Sequence, residues 1–119
     1  MSAVRTLIGD RALADSRDSF NAAGKLREAI LALAGGGRVI LHSEHAWRSP
    51  TFSGTRHSLG LVFEAGEIDG AERMFDVLPS REFSIPGQLV ADAGVVGIVR
   101  RYRPAGMTCT IEVLLLEED

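Results

Sequence analysis

All three histidines of this 119-residue chain fall in one stretch, at positions 42, 45 and 57, and a glutamate lies between the first two. Imidazole nitrogens and carboxylate oxygens are the usual protein ligands of zinc and related ions. The candidate metal ligands are therefore His42, Glu44, His45 and His57. Signature spacings such as HExxH or paired CxxC are absent from the sequence. The alternative is that the histidines fill half-polar strand positions and make local hydrogen bonds.

The same stretch offers the groups of an acid–base or anion-binding site. Imidazole can carry a proton near neutral pH, and guanidinium groups bind carboxylates and phosphates. The residues of this candidate ligand site are His45, Trp47, Arg48, Arg56 and His57. Their charges predict a small anionic ligand. The alternative is an ordinary solvated turn, for which serine, threonine, proline and glycine are typical.

Other catalytic chemistries find no support in the sequence. It has no GxSxG nucleophile elbow, and its single cysteine, Cys109, lies in the apolar run TCTIEVLLL. That context predicts a small buried hydrophobe, and one cysteine cannot form an internal disulfide. The glycine run at positions 35–37 follows a predicted helix. It therefore indicates a helix cap and a turn, because a phosphate loop needs its glycines before a helix.

Composition and charge narrow the class of protein and of partner. Apolar residues make up 45% and charged residues 24% of the chain, with a net charge of −3. These values are typical of a single folded domain, here residues 1–119. The charge gives no general attraction to nucleic acid or anionic membranes. Since the sequence shows neither a transmembrane run nor a secretory signal, we expect a soluble, cytoplasmic protein.

A predicted β-hairpin from Arg38 to Glu64 positions the candidate residues. Apolar and polar side chains alternate along both halves, and Pro50 and Gly54 indicate the turn between them. A register that joins odd-numbered positions would pair Val39 with Phe63, Leu41 with Leu61, and His45 with His57. That register predicts that His42 and Glu44 share the opposite face. A bulge in either strand would break this sorting.

Two amphipathic helices flank this hairpin in the prediction. Apolar residues recur at spacings of three and four from Asp15 to Ala34. A second helix is predicted to begin near Asp69, where Asp69 and Glu72 have capping-box spacing, and to end at Pro79. Short strands are predicted at residues 3–8 and 82–85.

A second hairpin is predicted from Gln88 to Arg103 and from Met107 to Glu117, with Pro104 in its turn. Both strands centre on runs that are apolar on both faces, VVGIV and IEVLLL. An antiparallel sheet with one solvated face needs apolar residues on one face only. We therefore expect either a helix or a second copy of the protein to cover the other face.

The order of these elements predicts an α+β two-layer sandwich in which two helices pack on an antiparallel sheet. If a strand forms at residues 3–8, the first six elements follow the βαββαβ order of ferredoxin-like folds, with an extra C-terminal strand. That order concerns architecture alone and assigns no role to any residue.

Three hypotheses for function follow. The first is a small self-associating module, a homodimer, that binds a small ligand or a protein partner; the excess apolar surface of the second hairpin supports it. The second is a metal-dependent enzyme or a metal-binding protein that uses the histidines of the first hairpin. The third is a small acid–base enzyme that acts on an anionic substrate. The sequence requires no cofactor, and the second hypothesis implies zinc or a similar metal.

Overall fold

A computed structural model describes residues 13–80 and 83–118. The elements in chain order are α1 (Leu13–Ala34), β1 (Arg38–Arg48), β2 (Ser53–Glu64), α2 (Ile68–Val77), β3 (Gln88–Tyr102) and β4 (Ala105–Glu117). Short 3₁₀ turns flank α2, at Ala65–Glu67 and Leu78–Ser80. An antiparallel four-stranded sheet with two helices confirms the predicted α+β class.

The described strands pair antiparallel in the order β1-β2-β4-β3. β2 and β4 form the centre of the sheet, and β1 and β3 are its edges. The ferredoxin-like order is not confirmed, because β4 lies between β2 and β3, where that order has an N-terminal strand. The strand predicted at residues 3–8 lies outside the described residues. Of the strand predicted at 82–85, the described part forms only an isolated bridge from Ile85 to Gln88.

The core lies between the helices and one face of the sheet. β2 and β4 contribute alternate residues to it, as period two requires: Leu59, Leu61, Phe63, Met107, Cys109, Ile111, Val113 and Leu115. The helices contribute Leu26, Ile30, Ala34, Ala71 and Met74. Burial of this apolar surface is the main source of stability. In the part of the chain that the structure describes, neither helix has the length and apolarity to cross a membrane.

Cys109 is a packing residue of this core, as its apolar context predicts. Its thiol is free and buried. Burial raises the pKa of the Cys109 thiol to about 11. Because the thiolate is the reactive form, a thiol that stays protonated is chemically inert.

The glycine run forms the predicted cap and turn between α1 and β1. Gly35 and Gly37 have φ of 72° and 92°, a region that favours glycine. The Gly35 amide donates to the Leu31 carbonyl at 2.8 Å, and the Gly37 amide donates to the Glu67 carboxylate at 3.1 Å. A Cβ on Gly37 would overlap the Phe63 ring. The run thus joins α1 closely to the sheet.

α2 begins at Ile68, close to the predicted start, but its cap differs from the prediction. Its N-cap is Glu67, and the capping box is formed by Glu64 and Glu67 in the 3₁₀ turn that precedes the helix. The Glu64 amide donates to the Glu67 carboxylate at 2.8 Å. The prediction of Asp69 and Glu72 was wrong because two acidic pairs with the same spacing follow one another in the sequence. α2 ends at Val77, and Pro79 lies in the next 3₁₀ turn.

The first hairpin forms, but in a different register. Its turn at residues 49–52 places Arg48 opposite Ser53, so even-numbered residues of β1 pair with odd-numbered residues of β2. A bulge at Ile40, between Val39 and Leu41, then shifts the register again. The resulting pairs include Val39 with Leu61, His42 with Leu59, Glu44 with His57 and His45 with Arg56. The predicted pairing of His45 with His57 is therefore wrong, because a shift of one residue turns a strand's side chains to the other face.

The second hairpin has nearly the predicted bounds, and its two strands differ in burial. β4 is buried along its helix-facing side, and on its second face Leu114 and Leu116 are also buried while Thr108, Thr110 and Glu112 are half-buried. In β3, by contrast, Ala93 is the only residue of the strand that is buried. The helix or second copy that we expect on the second face stays a prediction, and the residues of β3 other than Ala93 are half-buried or exposed.

Candidate functional site

His42, Glu44 and His57 meet on the helix-facing side of the sheet. β1 supplies His42 and Glu44, two residues apart on one face, and β2 supplies His57 directly opposite Glu44. One ligand atom from each residue lies within 4.8 Å of the other two. His42 and Glu44 are half-buried and His57 is buried, so the cluster lies where the core meets solvent.

A chain of hydrogen bonds links the two imidazoles to α1. Nη1 of Arg27 lies 2.9 Å from Nδ1 of His42, and Nε2 of His42 lies 2.9 Å from Nδ1 of His57. Because a guanidinium only donates, Nδ1 of His42 accepts. In a neutral ring Nε2 then carries the proton and donates to His57. The contacts thus select the Nε2–H tautomer of both rings, which meet edge to face with centroids 5.1 Å apart.

Both imidazoles are held neutral. Burial lowers the pKa of His42 to about 4, and the charge of Arg27 adds to this effect. Burial lowers the pKa of His57 to about 3, with His42 and Arg27 acting in the same direction. His57 is only 2% exposed. At neutral pH the rings keep the uncharged form that binds metal ions.

The residues of the candidate ligand site are divided between the faces of the sheet. His45 pairs with Arg56 and Trp47 pairs with Gly54 on the face away from the helices, whereas His57 faces the helices. Arg48 lies at the end of β1, opposite Ser53. The structure therefore brings His57 together with His42 and Glu44. An anion site that uses the outer-face residues stays a prediction.

Arg27 is not among the site residues that the sequence predicts. It lies four residues after Ala23 and three before Ile30, both of which are buried. Helical spacing therefore directs its side chain toward the sheet. A cation within the apolar stripe of a helix was the signal in the sequence. Its partner, His42, could not be identified because the contact joins distant parts of the chain.

An open groove of about 630 Å³ lies beside the turn of the first hairpin. It is lined by Thr51, Phe52, Ser53, Leu89, Glu117 and Glu118. The Ser53 hydroxyl donates to the Glu117 carboxylate at 3.4 Å. Two carboxylates make the groove acidic, which does not suit the small anion predicted for this part of the chain. None of the predicted ligand residues lines it.

Comparison with known proteins gives a likeness of fold and no family. No protein-family model matches the chain, and no curated protein matches it in sequence. A chain in the solved structure of the virion of a native gene transfer agent (GTA) particle has a similar fold, with a TM-score of 0.52 and 12% identity. The likeness covers 80% of this chain and 97% of that chain. At this identity it concerns the fold alone.

Proposed function

We propose that this protein is a structural subunit that self-associates, as a homodimer, through its edge strand β3. The observation that carries the proposal is a set of large apolar side chains that β3 exposes on both of its faces. Leu89, Val96, Ile98, Val99 and Tyr102 are each between 42% and 78% exposed. Exposed apolar surface concentrated in this way marks an association site, and a long apolar edge strand in particular calls for a partner.

β3 is long and open along one side. It spans 15 residues, and among the described residues β4 is its only strand partner apart from the bridge at Ile85. The helices reach its far end through the ion pair of Arg100 with Glu72 on α2, at 2.8 Å. Most of the apolar side chains of the strand are left for a partner.

Charges at the two ends of β3 favour an antiparallel contact between two copies. Asp92 lies near its start, where Gln88 also pairs with Glu117. Arg101 and Arg103 lie near and just past its end. In an antiparallel contact around a two-fold axis, the acidic end of one copy faces the basic end of the other. A parallel contact would place like charges together.

The contact that we propose is made by side chains. The register of β3 against β4 shifts between Val90 and Asp92 and again between Val95 and Gly97. Bulges of this kind twist an edge strand and interrupt continuous pairing with another strand. The proposed dimer is therefore stabilised by apolar packing of side chains along β3, and not by backbone hydrogen bonds that would join the two sheets into one.

The chain of similar fold belongs to the virion of a gene transfer agent particle, and an assembly role for the present chain is part of this proposal. The homodimeric state and the cytoplasmic location that we expect from the sequence are parts of this proposal. A small anionic ligand on the outer-face residues His45, Trp47 and Arg56 would be additional to it.

Sedimentation velocity with matched surface variants tests the proposal. We expect the wild-type protein to sediment as a dimer at micromolar concentrations and Val99→Glu, which buries a charge in the contact, to sediment as a folded monomer with the wild-type far-UV circular dichroism spectrum. Val99 is 64% exposed on β3, and Leu41, at 67% on the other edge, provides the control. Leu41→Glu should leave the dimer intact. A monomeric wild-type protein, or equal dissociation by both variants, would contradict the proposal.

A further inference from the structure

We infer that His42, Glu44 and His57 form a binding site for a divalent transition-metal ion of the zinc class, and that Arg27 competes with the ion for His42. The inference does not depend on self-association through β3. It starts from three ligand atoms that lie within 4.8 Å of one another. Two come from one strand and the third from its neighbour, so the sheet itself holds them in position.

The set of ligands selects the class of metal. Two imidazoles and one carboxylate are a known ligand set for zinc and for Fe(II), with the remaining positions left to water or to a ligand. Magnesium and calcium prefer oxygen ligands throughout. The register predicted from the sequence placed His42 and Glu44 on one face and His45 and His57 on the other, which gave each face two ligands. The observed register of the hairpin supplies the third ligand, because Glu44 and His57 are direct partners across the strands.

The hydrogen-bond chain and the ion require different protonation of His42. Nε2 of His42 is a proton donor to His57 in the structure, and Nδ1 accepts from Arg27. An ion that binds Nε2 needs its lone pair, so the proton moves to Nδ1. Nδ1 can then no longer accept from Arg27. The metal-bound state and the Arg27 contact therefore exclude one another.

Distance and charge also favour this competition. With Zn–N bonds of about 2.05 Å, a tetrahedral ion needs its two nitrogens about 3.3 Å apart. Nε2 of His42 and Nδ1 of His57 lie 2.9 Å apart, so the rings must separate slightly as the ion enters. The guanidinium of Arg27, at 2.9 Å from His42, also repels a cation. Removal of Arg27 should therefore strengthen metal binding.

Calorimetric titration of Zn²⁺ into the metal-free full chain tests the site. We expect one ion per chain, with affinity reduced at least tenfold in Glu44→Gln and raised about tenfold in Arg27→Met. His45→Ala provides the matched control, because His45 lies on the opposite face and should not matter. Visible absorption of bound Co²⁺ gives a second readout of tetrahedral coordination. Glu44→Gln removes a half-buried charge without a loss of volume, and thermal melting will verify that it folds.

Several outcomes would overturn the inference. If neither the wild-type protein nor Arg27→Met binds Zn²⁺, the residues are not a metal site. If His45→Ala loses binding and Glu44→Gln keeps it, the ion binds the outer face instead. If Arg27→Met binds no more tightly than the wild type, Arg27 does not compete for His42. If the protein binds zinc but sediments as a monomer, self-association is disproved and the metal site stands.

Discussion

The two edge strands differ in the side chains that they turn toward the helices and in how many large apolar side chains they expose. β1 turns His42 and Glu44 toward the helices, where His42 is hydrogen-bonded to Arg27 and His57. β3 turns large apolar residues to solvent, including Val99. Both strands carry a bulge, so irregularity alone does not explain the difference.

The two edge strands differ in how strongly their side chains disfavour association with another chain. Inward-pointing polar and charged groups are one way in which proteins disfavour edge-to-edge pairing, and β1 has them. β3 has charges only toward its ends, with an apolar centre. Polar groups that point inward cost desolvation energy unless they are satisfied. The inward-pointing polar groups of β1 therefore favour a chemical role for that strand, whereas the apolar centre of β3 favours association with a partner.

The largest expected effect is acid destabilisation through β1. The pKa values of His42 and His57 lie near 4 and 3 in the folded protein, below about 6.5 in the unfolded chain. Between these values the unfolded state binds more protons, so stability is fully present above pH 6.5 and falls as the pH decreases toward 4. Each histidine contributes up to about 1.4 kcal/mol per pH unit. Denaturant unfolding of metal-free protein from pH 8 to pH 4 measures this loss of stability. A free energy of unfolding that stays constant over this range would contradict neutral histidines in the folded protein.

A smaller effect is expected when the inward polar pair is replaced. His57→Leu alone leaves the Nε2 donor of His42 without its partner and should lower the free energy of unfolding by about 1–2 kcal/mol. The double variant His42→Leu, His57→Leu removes this donor together with its acceptor but also takes the acceptor from Arg27, so it should recover that loss only in part. Urea unfolding at pH 7.5 compares the three proteins. A double variant less stable than the single one would show that the pair supports the fold itself.

The smallest effect concerns charge at the end of β3. Asp92→Lys should weaken the dimer severalfold, which is less than the effect of Val99→Glu, because exposed charges at the rim of an interface contribute less than buried apolar contacts. The weakening should diminish as salt is added. Sedimentation equilibrium at two salt concentrations measures the dissociation constant of the dimer and its dependence on salt. A dimer that Asp92→Lys leaves unchanged or strengthens would contradict the antiparallel contact.

Much of the fold follows from short-range patterns. Spacings of three and four identified α1, and alternation identified the first hairpin. Apolar runs on either side of the turn at Pro104 identified β3 and β4 to within a few residues. These patterns are local, since they reflect which face of one element is buried. The inertness of Cys109 and the cap at Gly35 to Gly37 could be predicted for the same reason.

The site could be predicted only in part, because its geometry depends on longer-range contacts. The turn that sets the register is shaped by Ser49, whose amide donates to the Phe52 carbonyl at 2.8 Å and whose hydroxyl accepts from the Phe52 amide at 3.0 Å. That turn decides that His42, rather than His45, meets His57. The contact with Arg27 requires the packing of α1 on the sheet. The place of β4 between β2 and β3 could not be predicted either, because β4 pairs with β2, a strand that lies far from it in the sequence.

The central position of β4 has a consequence for the time at which the protein folds. Of the described strands it is the last to leave the ribosome, yet it pairs with both β2 and β3. Until it emerges, the first hairpin lacks the partner that completes its sheet, and the apolar face of β2 stays open. The nascent chain is therefore most exposed to aggregation just before synthesis of the described sheet is complete. Chaperones that bind extended apolar segments would have their main opportunity in that interval.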